Sequence, residues 1–145
     1  MYRHILIGLN QSDSAHRALQ RAIDLAAQFD AKLTAMTVVP DPPPYAVYAG
    51  ALSPEASQIM KGDEQDSLVQ LLETAQREGA QHAMEVKTIL SDGPVVVSLV
   101  EAVRKNQIDL LVLGIHPEQG LLGWVTASTA HELAQKAACD VLGVR

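Results

Sequence analysis

Asp109-Leu110-Leu111-Val112-Leu113-Gly114, followed by Ile115-His116-Pro117-Glu118-Gln119-Gly120-Leu121-Leu122-Gly123-Trp124-Val125-Thr126 and then Ala127-Ser128-Thr129-Ala130, decides the fold. The first five residues read as a strand with both faces buried, since the apolar run does not alternate. Gly114 stops it. A loop carrying Gly120 and Gly123 follows, and a helical pattern opens at Ala127 with Ser128 as its expected N-cap. A strand, a glycine-bearing loop and a helix N-terminus can converge backbone N–H groups on an anion. The same turn also serves parallel α/β sheets that bind nothing there. The loop lacks Gly-Lys-(Ser/Thr), so it is not a Walker-type phosphate loop.

Working outward, the rest of the chain alternates strand with helix. Tyr2 to Leu9 holds the apolar run of a central strand. Ser12 or Asp13 can cap the next helix, where Ala15, Ala18, Leu19, Ala22, Ile23, Leu25, Ala26 and Phe29 recur at helical spacing and Asp30 marks the exit. Lys32 to Val39 is a second strand. Pro40 to Leu52, with Pro42-Pro43-Pro44, reads as a long surface loop. Ser53-Pro54-Glu55 restarts helix. Gly62 weakens that helix, Leu68, Val69, Leu71, Leu72 and Ala75 form its buried face, and Gly79 closes it. Ala83 to Leu90 alternates as an edge strand. Ser91 to Pro94 turns into a helix over Val95 to Lys105. Leu133, Ala134 and Ala137 face inward on the last helix, and Asp140 to Arg145 is the last strand. Such alternation implies an α/β domain over 1–145 with an open parallel five-stranded sheet and four helices on its two faces. In the order 3-2-1-4-5 the chain reverses direction between strands 1 and 4, and ligands bind at the carboxyl ends beside that reversal.

The 145 residues are enough for one domain with a real core. No apolar run reaches membrane-spanning length, the chain enters a strand at once without a leader, and a cytoplasmic location is expected. The net charge of −6, with no basic stripe, argues against nucleic acid as a partner. Cys139 is the only cysteine, so no intrachain disulfide or cysteine zinc cluster can form.

The chain resembles the universal stress protein (UspA-like) family along its whole length. The resemblance is carried by His4-Ile5-Leu6-Ile7-Gly8-Leu9-Asn10-Gln11-Ser12 before an alanine-rich helix, Gly93-Pro94, Asp109 to Gly114, and Cys139-Asp140-Val141-Leu142-Gly143-Val144. It implies a Rossmann-like fold, a cytoplasmic role in stress survival and a homodimer. One family branch binds ATP through Gly-x-x-Gly, nine residues, Gly-(Ser/Thr), an aspartate after strand 1 and a valine backbone on strand 2; the other branch does not. Laid on this chain, the motif falls on Gly114, Pro117, Ala127 and Ser128, the aspartate on Asn10 and the valine on Val38, with Thr129 beside the hydroxyl. Pro117 has no N–H to give a phosphate. Ala127 keeps its N–H but adds a methyl. Asn10 is a neutral group.

These departures predict a non-catalytic regulatory module with a degenerate nucleotide crevice, acting through protein partners not named by the sequence. The alternative is an adenine-nucleotide sensor binding ATP with Mg through Gly114, Ser128, Asn10, Val38, Ala127 and Thr129; slow ATP hydrolysis is a third reading, without an identifiable base or nucleophile. The five histidines show no ligand spacing, and no metal site is expected. His116 and Cys139 read as a loop residue and a packed residue. The apolar tip Leu121 to Val125 suits a partner contact or lid. An unpaired edge at Val141 to Val144 predicts a two-fold dimer through that strand.

Overall fold

The computed structural model describes residues 1–39, 45, 47, 48, 51, 53–116 and 126–145. Its elements run β1 (His4–Gly8), α1 (Asp13–Phe29), β2 (Lys32–Val39), α2 (Pro54–Gln81), β3 (Val86–Asp92), α3 (Val95–Lys105), β4 (Leu110–Gly114), α4 (Ala127–Lys136) and β5 (Asp140–Val144). The sheet has the order β3-β2-β1-β4-β5, with every neighbouring pair parallel. This is the expected topology, with the reversal between β1 and β4.

The central strands are apolar on successive residues because each face has its own helix layer. Ile5, Ile7, Leu33, Ala35, Leu110 and Val112 face α1 and α2. Leu6, Met36, Val38, Leu111 and Leu113 face α3 and α4 through Leu99, Val103 and Leu133. α1 buries Ala15, Ala18, Leu19, Ala22, Ile23 and Ala26; four of these contact residues being alanine lets the helix sit low on the sheet. It begins where the Ser12 side chain accepts from Ala15 N–H at 3.1 Å. It ends at Asp30, whose φ of 52° supplies the left-handed residue that Gly usually provides.

Helix α2 departs from expectation in several places. It runs unbroken for 28 residues through Gly62 and stops at Gln81, about 42 Å of helix. From Pro54 to Asp66 every described side chain is exposed, so only the C-terminal half is held by the core, through Leu68, Leu72 and Ala75. Val69 is outward-facing at 37 % exposure. Gly79 is not a cap: a Cβ there would overlap the Val86 side chain, so the glycine lets α2 lie against β3. Ala83, at φ 55°, makes the turn instead, and β3 starts later than the alternation suggested. On α4, Leu133 is buried but Ala134 is exposed, with Ala130 packing inward in its place. Within Pro40 to Leu52, the described Tyr45, Val47, Tyr48 and Ala51 are helical and exposed rather than loop; the rest of that segment lies outside the described residues.

The amino edge of the sheet is cross-tied by side chains. The Asp109 carboxylate accepts from Arg3 N–H at 2.8 Å and His4 N–H at 3.1 Å. The Tyr2 hydroxyl donates to Asp140 at 2.8 Å. His4 Nε2 pairs with Thr34 Oγ1 at 2.8 Å, and burial pushes the His4 imidazole below its ordinary pKa.

At the opposite edge Gly114 is where β4 meets the start of α1. A Cβ on Gly114 would overlap the backbone of Ser14 and Ala15. Gly62, by contrast, has nothing within 4 Å of its would-be Cβ. Gly114→Ala should therefore cost about 1–3 kcal/mol by overpacking, lowering Tm by several degrees. Gly62→Ala should raise it through helix propensity, by about 0.5–1 kcal/mol. Thermal unfolding of the two variants checks the assignment; equal effects would refute it.

Candidate functional site

Three chain turns open on the carboxyl edge beside the β1/β4 reversal: the end of β1 into α1, the end of β2, and the end of β4 into α4. At the first, Asn10 is 6 % exposed. Its Oδ1 accepts from Ser12 N–H at 2.9 Å and also bonds Ser12 Oγ. Ser12 Oγ in turn lies 3.1 Å from Ser14 Oγ while capping α1. This turn ends the β1 ladder and starts the helix.

Continued by two residues, the β1/β2 register would set Val38 opposite Asn10. The register pairs Gly8 with Met36 and continues as Leu9 N–H donating to the Met36 carbonyl at 2.8 Å. Gly93 N–H donates to the Val39 carbonyl at 3.1 Å, so odd-numbered carbonyls at this end of β2 face β3. The alternation of peptide directions then turns the Val38 carbonyl toward β1. Among the described residues the next rung, from Gln11 N–H to that carbonyl, is absent. The Val38 side chain itself is fully buried, and Thr37 Oγ1 closes the layer beneath by donating to the Leu9 carbonyl at 2.9 Å.

On the β4 side, Gly114 still pairs with Val144 in β5, and Ile115 N–H donates to the Val144 carbonyl at 2.7 Å. The first motif position is thus committed to the sheet and to α1. Pro117, Gly120, Gly123 and the apolar tip Leu121 to Val125 lie outside the described residues. The chain returns at Thr126, and here the expected cap is corrected: Thr126, not Ser128, is the N-cap of α4, its Oγ1 accepting from Thr129 N–H at 3.3 Å. Ser128 and Thr129 sit inside the first turn, their hydroxyls 2.8 and 3.1 Å from Thr126 Oγ1. The signal was present in the sequence, since Thr126 and Thr129 carry the N-cap to N3 spacing.

The electrostatics separate the two helix starts. α1 carries Asp13 in its first turn, which repels an anion there. α4 has no acidic residue in its first turn, presents three hydroxyls there, and offers the positive end of its dipole. Burial raises the Cys139 thiol pKa, which disfavours a reactive thiolate. A groove of about 610 Å³ lies elsewhere, at the amino edge between the ends of α1 and α2, lined by Asp30, Lys32, His82, Glu85 and Lys87 among others. It shares no residue with the carboxyl-edge crevice.

A doubly wound parallel sheet of this order, reversing between β1 and β4, is a Rossmann-like α/β fold. The family assignment is firmer. The model of the universal stress protein family matches residues 1–145, and the chain belongs to that family. It is 28% identical over 145 residues to universal stress protein MJ0531 of Methanocaldococcus jannaschii, spanning all of this chain and 83% of that one. The UspA structure from Lactobacillus plantarum superposes with TM-score 0.80 at 27% identity, covering 99% of this chain and 98% of that one. A universal stress protein crystallised in complex with cAMP matches with TM-score 0.64 at 26% identity, covering 99% and 97% of the two chains. Among the described residues no helix is long and apolar enough to cross a membrane.

The cap assignment separates two single substitutions. Thr126→Ala should cost about 1 kcal/mol of stability by leaving the Thr129 N–H without its cap, whereas Ser128→Ala should leave Tm within about one degree. Thermal unfolding of both decides it; a larger loss in Ser128→Ala would restore Ser128 as the cap.

Proposed function

We propose that this chain is a non-catalytic, cytoplasmic regulatory module that binds an adenine nucleoside monophosphate at the carboxyl edge, works as a homodimer, and changes protein partners with occupancy. The observation that carries the reading is the α4 start, where the Thr126, Ser128 and Thr129 hydroxyls gather on a helix whose first turn holds no acidic residue. One phosphate is matched by that set. A triphosphate with Mg would need further backbone donors from the preceding loop, and Pro117 lacks an N–H. The related structure holding cAMP supports a ligand of this class. The non-catalytic part rests on the hydroxyls' partners: Ser12 and Ser128 bond to Asn10, Ser14 and Thr126, none of them a general base.

The dimer rests on β5. Its Asp140 N–H donates to the Asp109 carbonyl at 3.3 Å and its Val144 carbonyl accepts from Ile115. Even-numbered residues of β5 therefore face β4, and the N–H and C=O of Val141 and Gly143 point out along the open edge. An apolar edge of this kind pairs readily with a second copy across a two-fold axis.

Two measurements test the reading. A ligand binding only the folded state at 100 times its Kd adds about 2.7 kcal/mol, which for a chain of this size raises Tm by about 5–10 °C. AMP or cAMP should produce such a shift, MgATP a smaller one and a matched sulfate salt none. No shift with either monophosphate ends the nucleotide reading. Val141→Pro removes an outward N–H together with part of the Val141 packing on the α3/α4 face of the sheet, so with circular dichroism showing a folded chain it should halve the mass seen by light scattering. A variant that keeps the mass of the natural chain rejects pairing through β5.

A further inference from the structure

A titratable ring sits at the amino edge, at the opposite end of the sheet from the crevice. Leu6 and Met36 face α3 and α4, so the two-residue period of a strand puts His4, Lys32 and Thr34 on that same face. His4 and Lys32 share one rung of the ladder. Thr34 shares the next rung with Lys87 of β3. One face of three strands thus gathers an imidazole, a buried hydroxyl and two ammonium groups. Thr34 is 3 % exposed, and among the described residues the 2.8 Å contact with His4 Nε2 is the hydrogen bond of its hydroxyl. Neither lysine forms an ion pair among the described residues.

The surroundings of the ring work against a charge on it. Burial is the largest cause; a hydrogen bond with the Asn106 backbone opposes it, Lys32 and Lys87 reinforce it, and Asp109 counters them. The net direction is downward from the ordinary value of 6.5. The Asp109 carboxylate is already engaged by the Arg3 and His4 N–H groups. Asp30 and Glu85 line the amino-edge groove with both lysines, and Arg104 and Lys105 end α3; none of these four is among the charges acting on the ring. A protonated ring has only donors. It would fix the Thr34 oxygen as acceptor and leave the Thr34 hydrogen without the ring as its partner. It would also place a third positive charge beside Lys32 and Lys87.

We propose that His4 is an acid-sensitive latch of the amino edge: the neutral ring holds β1 to β2 through Thr34, and protonation loosens that end of the sheet while the carboxyl edge stays closed. The backbone bonds on either side of the latch are Lys32 N–H to the Arg3 carbonyl and Asp109 N–H to the His4 carbonyl, both 3.0 Å. They tie β1 to β2 and to β4, and they are the bonds that open. The sign follows from linkage. The folded chain holds the His4 proton less readily than the unfolded chain, so the contribution of the neutral ring is complete above about pH 6.5 and lost as the pH falls below it.

Nuclear magnetic resonance of the natural chain from pH 7.5 to 5.5 tests the latch, with the His4 ring resonance assigned by its loss in His4→Gln. The ring should titrate below the ordinary histidine value. Over the same range the hydrogen-exchange protection factors of the Lys32 and Asp109 amides should fall about tenfold or more. The Leu9 amide, bonded to Met36 at the other end of the sheet, should keep its protection. Glutamine can pair with Thr34 without titrating, so the natural chain should lose about 3 °C more Tm than His4→Gln between the two pH values. Lys87→Met is the second variant, since it leaves the ring and Thr34 in place on an exposed site. It should raise the His4 midpoint and shrink the acid-induced loss. The proposal is overturned if the ring titrates at or above the ordinary value, if the Leu9 amide loses protection as fast as the other two, or if Lys87→Met leaves the midpoint where it was. Equal acid losses in a folded His4→Gln and the natural chain overturn it as well.

Discussion

The backbone of β4 touches the backbone of α1 at Gly114, and the carboxyl edge is arranged around that approach. A side chain at Gly114 would lie inside Ser14 and Ala15. With hydrogen there, α1 can start immediately over the β1/β4 boundary, and its alanine face can follow the sheet at short distance. That brings the Asn10 turn and the β4 exit to the two sides of one boundary. In the family's ATP-binding branch this glycine opens a phosphate motif; here its packing duty exists whether or not the later glycines do. Its retention while Pro117 and Ala127 depart is therefore explained by the fold and does not by itself argue for a nucleotide.

The two edges of the sheet are built differently. At the amino edge Asp109, Asp140, Tyr2 and His4 join β1, β2, β4 and β5 by side-chain hydrogen bonds. The carboxyl edge has local caps instead, Ser12 for α1 and Thr126 for α4, which bind within their own turns and leave the space between them unbridged by the described hydrogen bonds. Such an arrangement holds the strands in register from one end and permits a ligand at the other. It also fits the distribution of burial, since the C-terminal half of α2 is anchored while its exposed half begins at the carboxyl end.

Strands β1, β2 and β4 were legible because burial on both faces leaves continuous apolar runs, and the alternation of elements then left few topologies. What misled the reading were residues with two uses. Gly79 looked like a helix stop but is a contact residue against Val86, while the left-handed turn fell to Ala83, a residue with no propensity for it. Ser128 looked like a cap because any hydroxyl near a helix start does; only the position of the first turn distinguishes it from Thr126. At the crevice, residue types were legible and hydrogen-bond direction was not. That Asn10 spends its oxygen on Ser12 follows from the turn geometry, which no spacing rule shows.

The replacements at the crevice make physical sense as a set. A carboxylate after β1 adds a negative charge to a site that binds phosphate, a cost that a metal-bound triphosphate with a ring of backbone donors can offset. Remove a donor at Pro117 and crowd the approach with the methyl of Ala127, and the same carboxylate becomes an uncompensated repulsion. An amide removes the charge while its oxygen still ends β1 and starts α1 through Ser12. The acidic residue that remains, Asp13, sits at the start of α1, while the start of α4 carries none. Charge is thus divided unevenly between the two helix starts that border the carboxyl edge, acidic at α1 and free of acid in the first turn of α4.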